Sequence, residues 1–242
     1  MKKFLLVTYS LLLLVNSYGQ NDSVPDSSEF NVEIDFGASS RNIWRGLDYG
    51  SSPSIWGDLY KNINNFSIGA MGTTTLNGSK SQYGTWLELY ASYQFKNITF
   101  VLDDYFFFNT MDSLNNYFNY TSEKTQHLIE ARLEYENNFL EALLGYVIYS
   151  NGEDNTNGVY IEATYKVNEK ISFTAGCLTA SQWLSFYDAG GITTLGINGH
   201  RKLKVLKQKL PLKASLIFNP NYKNASQLVG NNPAYFVLST EF

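Results

Sequence analysis

Residues 85–95 read Thr-Trp-Leu-Glu-Leu-Tyr-Ala-Ser-Tyr-Gln-Phe. Leu87, Leu89, Ala91, Tyr93 and Phe95 share one parity; Trp86, Glu88, Tyr90, Ser92 and Gln94 share the other. Successive side chains on a strand point to opposite faces, so this stretch is a strand with one apolar and one polar side. Residues 30–39 repeat the pattern, with Phe30, Val32, Ile34, Phe36 and Ala38 opposing Asn31, Glu33, Asp35, Gly37 and Ser39. His127, Ile129, Ala131, Leu133 and Tyr135 oppose Leu128, Glu130, Arg132 and Glu134. Val159, Ile161, Ala163, Tyr165 and Val167 oppose Tyr160, Glu162, Thr164 and Lys166. Leu210, Leu212, Ala214, Leu216 and Phe218 oppose Lys213 and Ser215.

Working outward, the alternation predicts about 12 strands. Their expected spans are 30–45, 54–61, 65–75, 83–95, 97–108, 125–136, 139–149, 157–167, 170–181, 191–206, 210–219 and 234–242. No span has a helical period. The links between them sort by length. Residues 61–64, Lys96, Asn137-Asn138, Asn168-Glu169 and residues 207–209 are short turns. Between these come the longer polar links 46–53, 76–82, 109–124, 150–156, 182–190 and 220–233. Short turns at one end and long loops at the other are the pattern of an outer-membrane barrel. The expected fold is therefore all-β: an antiparallel, up-and-down transmembrane barrel formed by residues 30–242.

In such a barrel the apolar faces meet lipid and the polar faces line the lumen. The polar parities carry Glu33, Asp35, Glu88, Glu130, Arg132, Glu134, Glu162 and Lys166. A Lys or Arg on the lipid side costs about 2–4 kcal/mol at the bilayer midplane, so these faces are expected to turn inward. Aromatic residues at strand ends, such as Phe30, Tyr93, Phe95, Tyr135 and Tyr165, suit interfacial girdles. Asp103 and Asp104 are neighbours and cannot both face the lumen by alternation. A bulge or a place beyond the membrane edge would accommodate them.

The N-terminus begins Met-Lys-Lys, continues through an apolar run over residues 4–15, and reaches Ser17 and Gly19 before Gln20. This is the form of a secretory signal peptide, residues 1–19, followed by a flexible lead-in over residues 20–29. The single Cys, Cys177, is far from that site, so a lipoprotein anchor is not expected. At the other end Ala234, Phe236, Leu238, Thr240 and Phe242 share a face and an aromatic residue comes last. That tail resembles the C-terminal targeting signal by which barrel-assembly machinery recognises its substrates.

Composition narrows the classes further. The 242 residues are 44% hydrophobic, 16% aromatic and 17% charged, too apolar for a disordered chain. A net charge of −4 and a pI near 5.2 argue against a nucleic-acid partner. One Cys and two His leave no thiolate or His-rich metal site in view.

Residues 39–46 read Ser-Ser-Arg-Asn-Ile-Trp-Arg-Gly. Ser40, Arg41, Trp44, Arg45 and Gly46 make this stretch resemble the S-R-x-x-W-R-G signature near the first strand of the TorF-type porins. Pro53, residues 66–72 and residues 86–93 are also similar to that family, and the resemblance covers residues 30–108. It implies an outer-membrane barrel of porin type and supplies no catalytic residue. Read from the residues, Arg41 and Arg45 continue the lumen parity of Glu33 and Asp35. Two roles follow: a transverse field near the outer mouth, or neutralisation of lumen carboxylates, with Trp44 at the outer interface and Gly46 opening the loop.

No phosphate loop or H-E-x-x-H motif occurs, and no Ser is placed beside a His by its spacing. His127 lies on an apolar parity, His200 sits in the basic run His200-Arg201-Lys202, and Cys177 shares a face with Phe173 and Ala175. Neither an enzyme nor a cofactor or metal is expected. The expected function is passive diffusion of small polar solutes through a monomeric porin in a Gram-negative outer membrane, exported by the Sec route. Its partners are outer-membrane lipid, the assembly machinery through the strand ending at Phe242, and the solutes. The expected lumen charges are Glu33, Asp35, Asp58, Glu88, Glu130, Glu134, Glu141 and Glu162 against Arg41, Arg45, Arg132, Lys166 and Lys213. Acids outnumber bases, which predicts weak cation preference. The alternative is a structural or partner-binding barrel with a plugged lumen and no transport.

Overall fold

The computed structural model describes residues 32–77, 83–108, 116–121, 125–150, 158–181, 186–205, 208–226 and 232–242. The expected signal peptide and lead-in lie outside these. The strands are β1 (Glu33–Ser39), β2 (Ile43–Trp44), β3 (Leu47–Asp48), β4 (Ser54–Ile63), β5 (Phe66–Thr75), β6 (Thr85–Phe95) and β7 (Ile98–Phe107). They continue as β8 (His127–Glu136), β9 (Leu140–Tyr149), β10 (Val159–Asn168), β11 (Ile171–Leu178), β12 (Gly191–Val205), β13 (Gln208–Phe218) and β14 (Ala234–Glu241). Among the described residues the one helical element is a 3₁₀ turn over Tyr222–Asn224.

Twelve of the strands pair antiparallel with their chain neighbours, and β1 pairs with both β4 and β14, closing a barrel. Closure leaves no strand edge unpaired. The seam between β1 and β14 is short, with Gly37, Ala38 and Ser39 opposite Glu241, Thr240 and Ser239. It is extended by Phe36 and Phe242, which exchange backbone hydrogen bonds of 3.2 and 2.8 Å. Their rings stack at 5.1 Å. Ser40 adds a side-chain clasp, its hydroxyl accepting the Leu238 N–H at 2.9 Å.

The links sort as the alternation predicts. At one end Asn64 and Lys96 adopt positive φ in two-residue turns. Asn137 and Asn168 close theirs with side-chain oxygens that accept the N–H groups two and three residues on. These are the residue types that hydrogen-bond their own turns. Residues 206–207 complete that end but lie outside the described residues, as do parts of five of the six long links at the opposite end.

The two faces of the wall have opposite chemistry. Ile34, Phe36, Leu89, Phe100, Ile161 and Phe236 are exposed on the outside. Glu88, Asp103, Glu130, Ser172, Asn198 and Ser215 are buried inside. Cys177 lies with Ile161 and Ile192 on the outer side. Asp103 and Asp104 need no bulge: β7 keeps unbroken register with both neighbours. Asp103 points inward, while Asp104 is outward and accepts from His127 Nδ1 at 2.7 Å and Tyr120 OH at 2.6 Å.

One boundary is corrected. The first strand was expected to run to residue 45, but β1 ends at Ser39. Arg41 and Arg45 therefore do not line the wall on β1. They belong to a link, residues 40–53, that folds back into the barrel.

Candidate functional site: the lumen and the hairpin inside it

The inward link carries a miniature β-hairpin. Ile43 pairs with Asp48 and Trp44 with Leu47, and the Tyr49 N–H donates to the Asn42 carbonyl at 2.9 Å. The turn is Arg45-Gly46, with φ of 51° and 83°. Positive φ at both central residues is what the commonest two-residue hairpin turn requires. Glycine adopts it without cost, whereas Arg45 is held there by its contacts. A Cβ on Gly46 would lie 2.0 Å from the Thr193 carbonyl oxygen, so the tip presses directly on the β12 backbone. Asp48 holds the returning leg. Its Oδ1 accepts the Ser51 N–H at 2.8 Å and its Oδ2 pairs with Arg41 Nη1 at 2.7 Å.

The tip docks across the lumen. Arg45 Nη2 donates to both oxygens of Glu130, at 2.8 and 2.7 Å, and neither side chain meets solvent. The guanidinium lies between two rings, 4.4 Å from the centroid of Trp44 and 4.3 Å from that of Tyr160. Stacking against aromatic faces suits arginine's planar, weakly hydrated charge. Gly145 makes room for the pair, since a Cβ there would sit 2.5 Å from Glu130 Oε1. The turn carbonyls are also satisfied. Tyr187 OH donates to the Arg45 carbonyl at 3.0 Å, and Asn219 Nδ2 donates to the Gly46 carbonyl at 3.0 Å. Around them Leu47, Tyr49, Trp86, Tyr105, Leu128 and Phe186 form an apolar cluster closed to solvent. Burial pushes the Tyr49 and Tyr187 phenols above their ordinary range, which keeps both neutral.

The other expected lumen charges take separate places. Arg132 gathers three carboxylates, donating to Asp103 Oδ1 at 2.9 Å with Glu88 and Glu134 oxygens at 3.7 and 3.6 Å. Lys166 bridges Glu136, at 2.9 Å, and Glu141 near the short-turn end. Asp58 accepts from Tyr90 OH at 2.9 Å. Glu33, at the rim beside Asp35, accepts from Tyr60 OH and Asn62 Nδ2. Glu162 accepts from Tyr160 OH, and Lys213 faces His200 across β12 and β13. Arg41 and Arg45 reach their partners from the inward link. Trp44 is corrected too: it packs inside on Tyr49, Trp86 and Tyr105 rather than standing at the outer interface. Gly46 forms the hairpin turn and does not open a solvent loop.

Between the hairpin and the short-turn end the lumen holds two cavities of about 460 and 470 Å³, and Ile43 and Trp44 line both. The first is walled by β9–β13 and contains Glu162, Lys166, Asn198 and His200. The second is walled by β4–β8 and contains Trp56, Asp58, Trp86 and Tyr90. A third space of about 1150 Å³ lies at the short-turn mouth beside Glu141, Lys170 and Lys202.

No family model and no curated protein matches this chain. His127 is covered by a stacked Tyr120 ring at 3.9 Å, and its Nε2 meets the Tyr117 carbonyl. Ser172 Oγ lies 3.4 Å from His200 Nε2, a neighbour that sequence spacing did not reveal. Asn198 Nδ2 also donates to that Ser172 oxygen, at 3.2 Å. The signal for the hairpin was legible but misread. Ile-Trp-Arg-Gly-Leu-Asp is a two-residue X-Gly turn flanked by the apolar Ile43, Trp44 and Leu47. Tyr187 and Asn219, by contrast, are joined to it only by the closed fold.

Proposed function

We propose that the chain is an outer-membrane β-barrel of porin type that passes small polar solutes along its charged lumen, with the inward hairpin as its constriction. The observation that carries this reading is the inverted wall, an exposed apolar exterior around charged residues that face inward. In lipid, a closed barrel satisfies every backbone group internally. The apolar belt then replaces protein–water contact with protein–lipid contact at little cost. The long links would face outward and the short turns the periplasm. The N-terminal stretch would direct Sec export, and the strand ending at Phe242 would engage the assembly machinery. Ser40, Arg41, Trp44, Arg45 and Gly46, the residues that carry the resemblance to TorF-type porins, clasp the seam and build the hairpin.

A second reading is favoured by one specific observation. The Arg45–Glu130 pair and the apolar cluster around it are buried inside the barrel. This supports a barrel that stays closed until the hairpin moves, or one that does not transport. Planar-bilayer recording of the full chain separates the two. Steady ohmic conductance supports an open constriction, and its absence in the native chain together with its appearance on deleting residues 42–49 supports a closed one. Silence in both would refute transport.

A further inference from the structure

The two lumen cavities differ in a way that the channel reading does not explain. Three of the chain's four tryptophans, Trp44, Trp56 and Trp86, line the β4–β8 cavity together with Tyr90. Trp44 and Trp86 also pack the hairpin, which accounts for their burial. Trp56 does not join that cluster and is only half-buried, in the lumen. Its ring lies over Gly37, where a Cβ would fall 2.6 Å from both Cε2 and Nε1. The Tyr90 ring lies over Gly69 in the same manner, at 2.4 Å. Each glycine lets an aromatic ring lie along the barrel wall with its other face turned to the lumen. Next to these rings stand groups of both hydrogen-bonding senses. Asp58 lies between Trp56 and Tyr60 on the β4 lumen face, where its Oδ2 accepts from Tyr90 OH. Arg132 adds donors; Glu88 and Glu134 add acceptors.

From this arrangement we infer that the β4–β8 cavity binds a neutral saccharide, whose ring stacks on Trp56 and whose hydroxyls bond Asp58 and Arg132. A pyranose has an apolar C–H face and an edge of hydroxyls, each able to donate and accept. Flat aromatic faces with interleaved donors and acceptors match both features. An organic cation also favours rings and carboxylates, but a quaternary ammonium offers no acceptor to the Arg132 guanidinium that lines the cavity. At about 470 Å³ the cavity is within the size range of small-molecule sites, roughly 300–1,000 Å³. The β9–β13 cavity has Trp44 as its one aromatic wall and lacks such a platform among the described residues.

This inference names the solute class of the proposed channel and so rests on that reading, but its test does not need conduction. The full chain, folded in detergent, is titrated with glucose, maltotriose and cellobiose, and intrinsic tryptophan fluorescence is followed. A saturable change with at least one sugar is expected. Trp56→Ala should weaken it roughly tenfold, Trp56→Phe less, and Asp58→Asn should weaken it without loss of the folded, heat-modifiable form. No saturable response to any of the three sugars overturns the proposal. So does saturation by choline chloride in their place, or undiminished sugar binding in folded Trp56→Ala. Sugar binding with no conductance from either the native chain or the chain lacking residues 42–49 would uphold the site and refute the channel.

Discussion

At the scale of single residues, the hairpin tip combines a positive-φ arginine, a glycine in backbone contact and a buried ion pair. Removing one member of a buried pair leaves the other charge desolvated, at about 3–5 kcal/mol. Glu130→Gln and Arg45→Ala should therefore undock the hairpin. The expected readout is new proteolytic cleavage within residues 40–53 and a rise in steady bilayer conductance, with the barrel still closed. The double substitution should cost less than the two single ones together, because no unpaired charge remains. Gly46→Ala should have the same direction for a steric reason, since its methyl would meet the Thr193 carbonyl. Sequence alternation located Glu130 in the lumen. It could not supply the partner, because Arg45 and Glu130 are 85 residues apart and meet only once the hairpin turns inward.

At the scale of elements, each strand presents an apolar and a charged edge, and the two should respond differently to substitution. Ile161→Arg or Leu89→Arg places a charge on the outer face, where it costs about 2–4 kcal/mol in a bilayer. Assembly, measured as the heat-modifiable band on a denaturing gel, should fall sharply. Glu162→Gln keeps an oxygen that can accept from Tyr160 and should assemble nearly as the native chain does. The seam gives another test. Phe242→Ala removes the ring stacked on Phe36, an interaction worth about 0.5–1.5 kcal/mol beyond its area. Slower folding into vesicles is expected, with a larger defect when Phe242 is deleted and its backbone hydrogen bonds are lost. Strand positions were legible because a period of two is local. The true end of β1 was not, because Arg41 and Arg45 keep the polar parity while their backbone leaves the wall.

At the scale of the whole molecule, the described lumen carries more carboxylates than cationic groups, though most are paired. Weak cation preference is the expected outcome, read as a reversal potential under a potassium chloride gradient across a bilayer containing the conducting protein. Anion preference would contradict it. By itself, the sequence determined the all-β class, the number of barrel strands, the sorting of links to two ends and the two-faced chemistry of each strand. These follow from chemistry repeated every second residue, which neighbouring strands must respect. Tertiary structure alone decided that the first long link fills the lumen, that Arg45 finds Glu130, and that three tryptophans gather in one cavity. Those outcomes depend on which residues a closed circle of strands brings opposite one another, and that geometry does not exist until β1 meets β14.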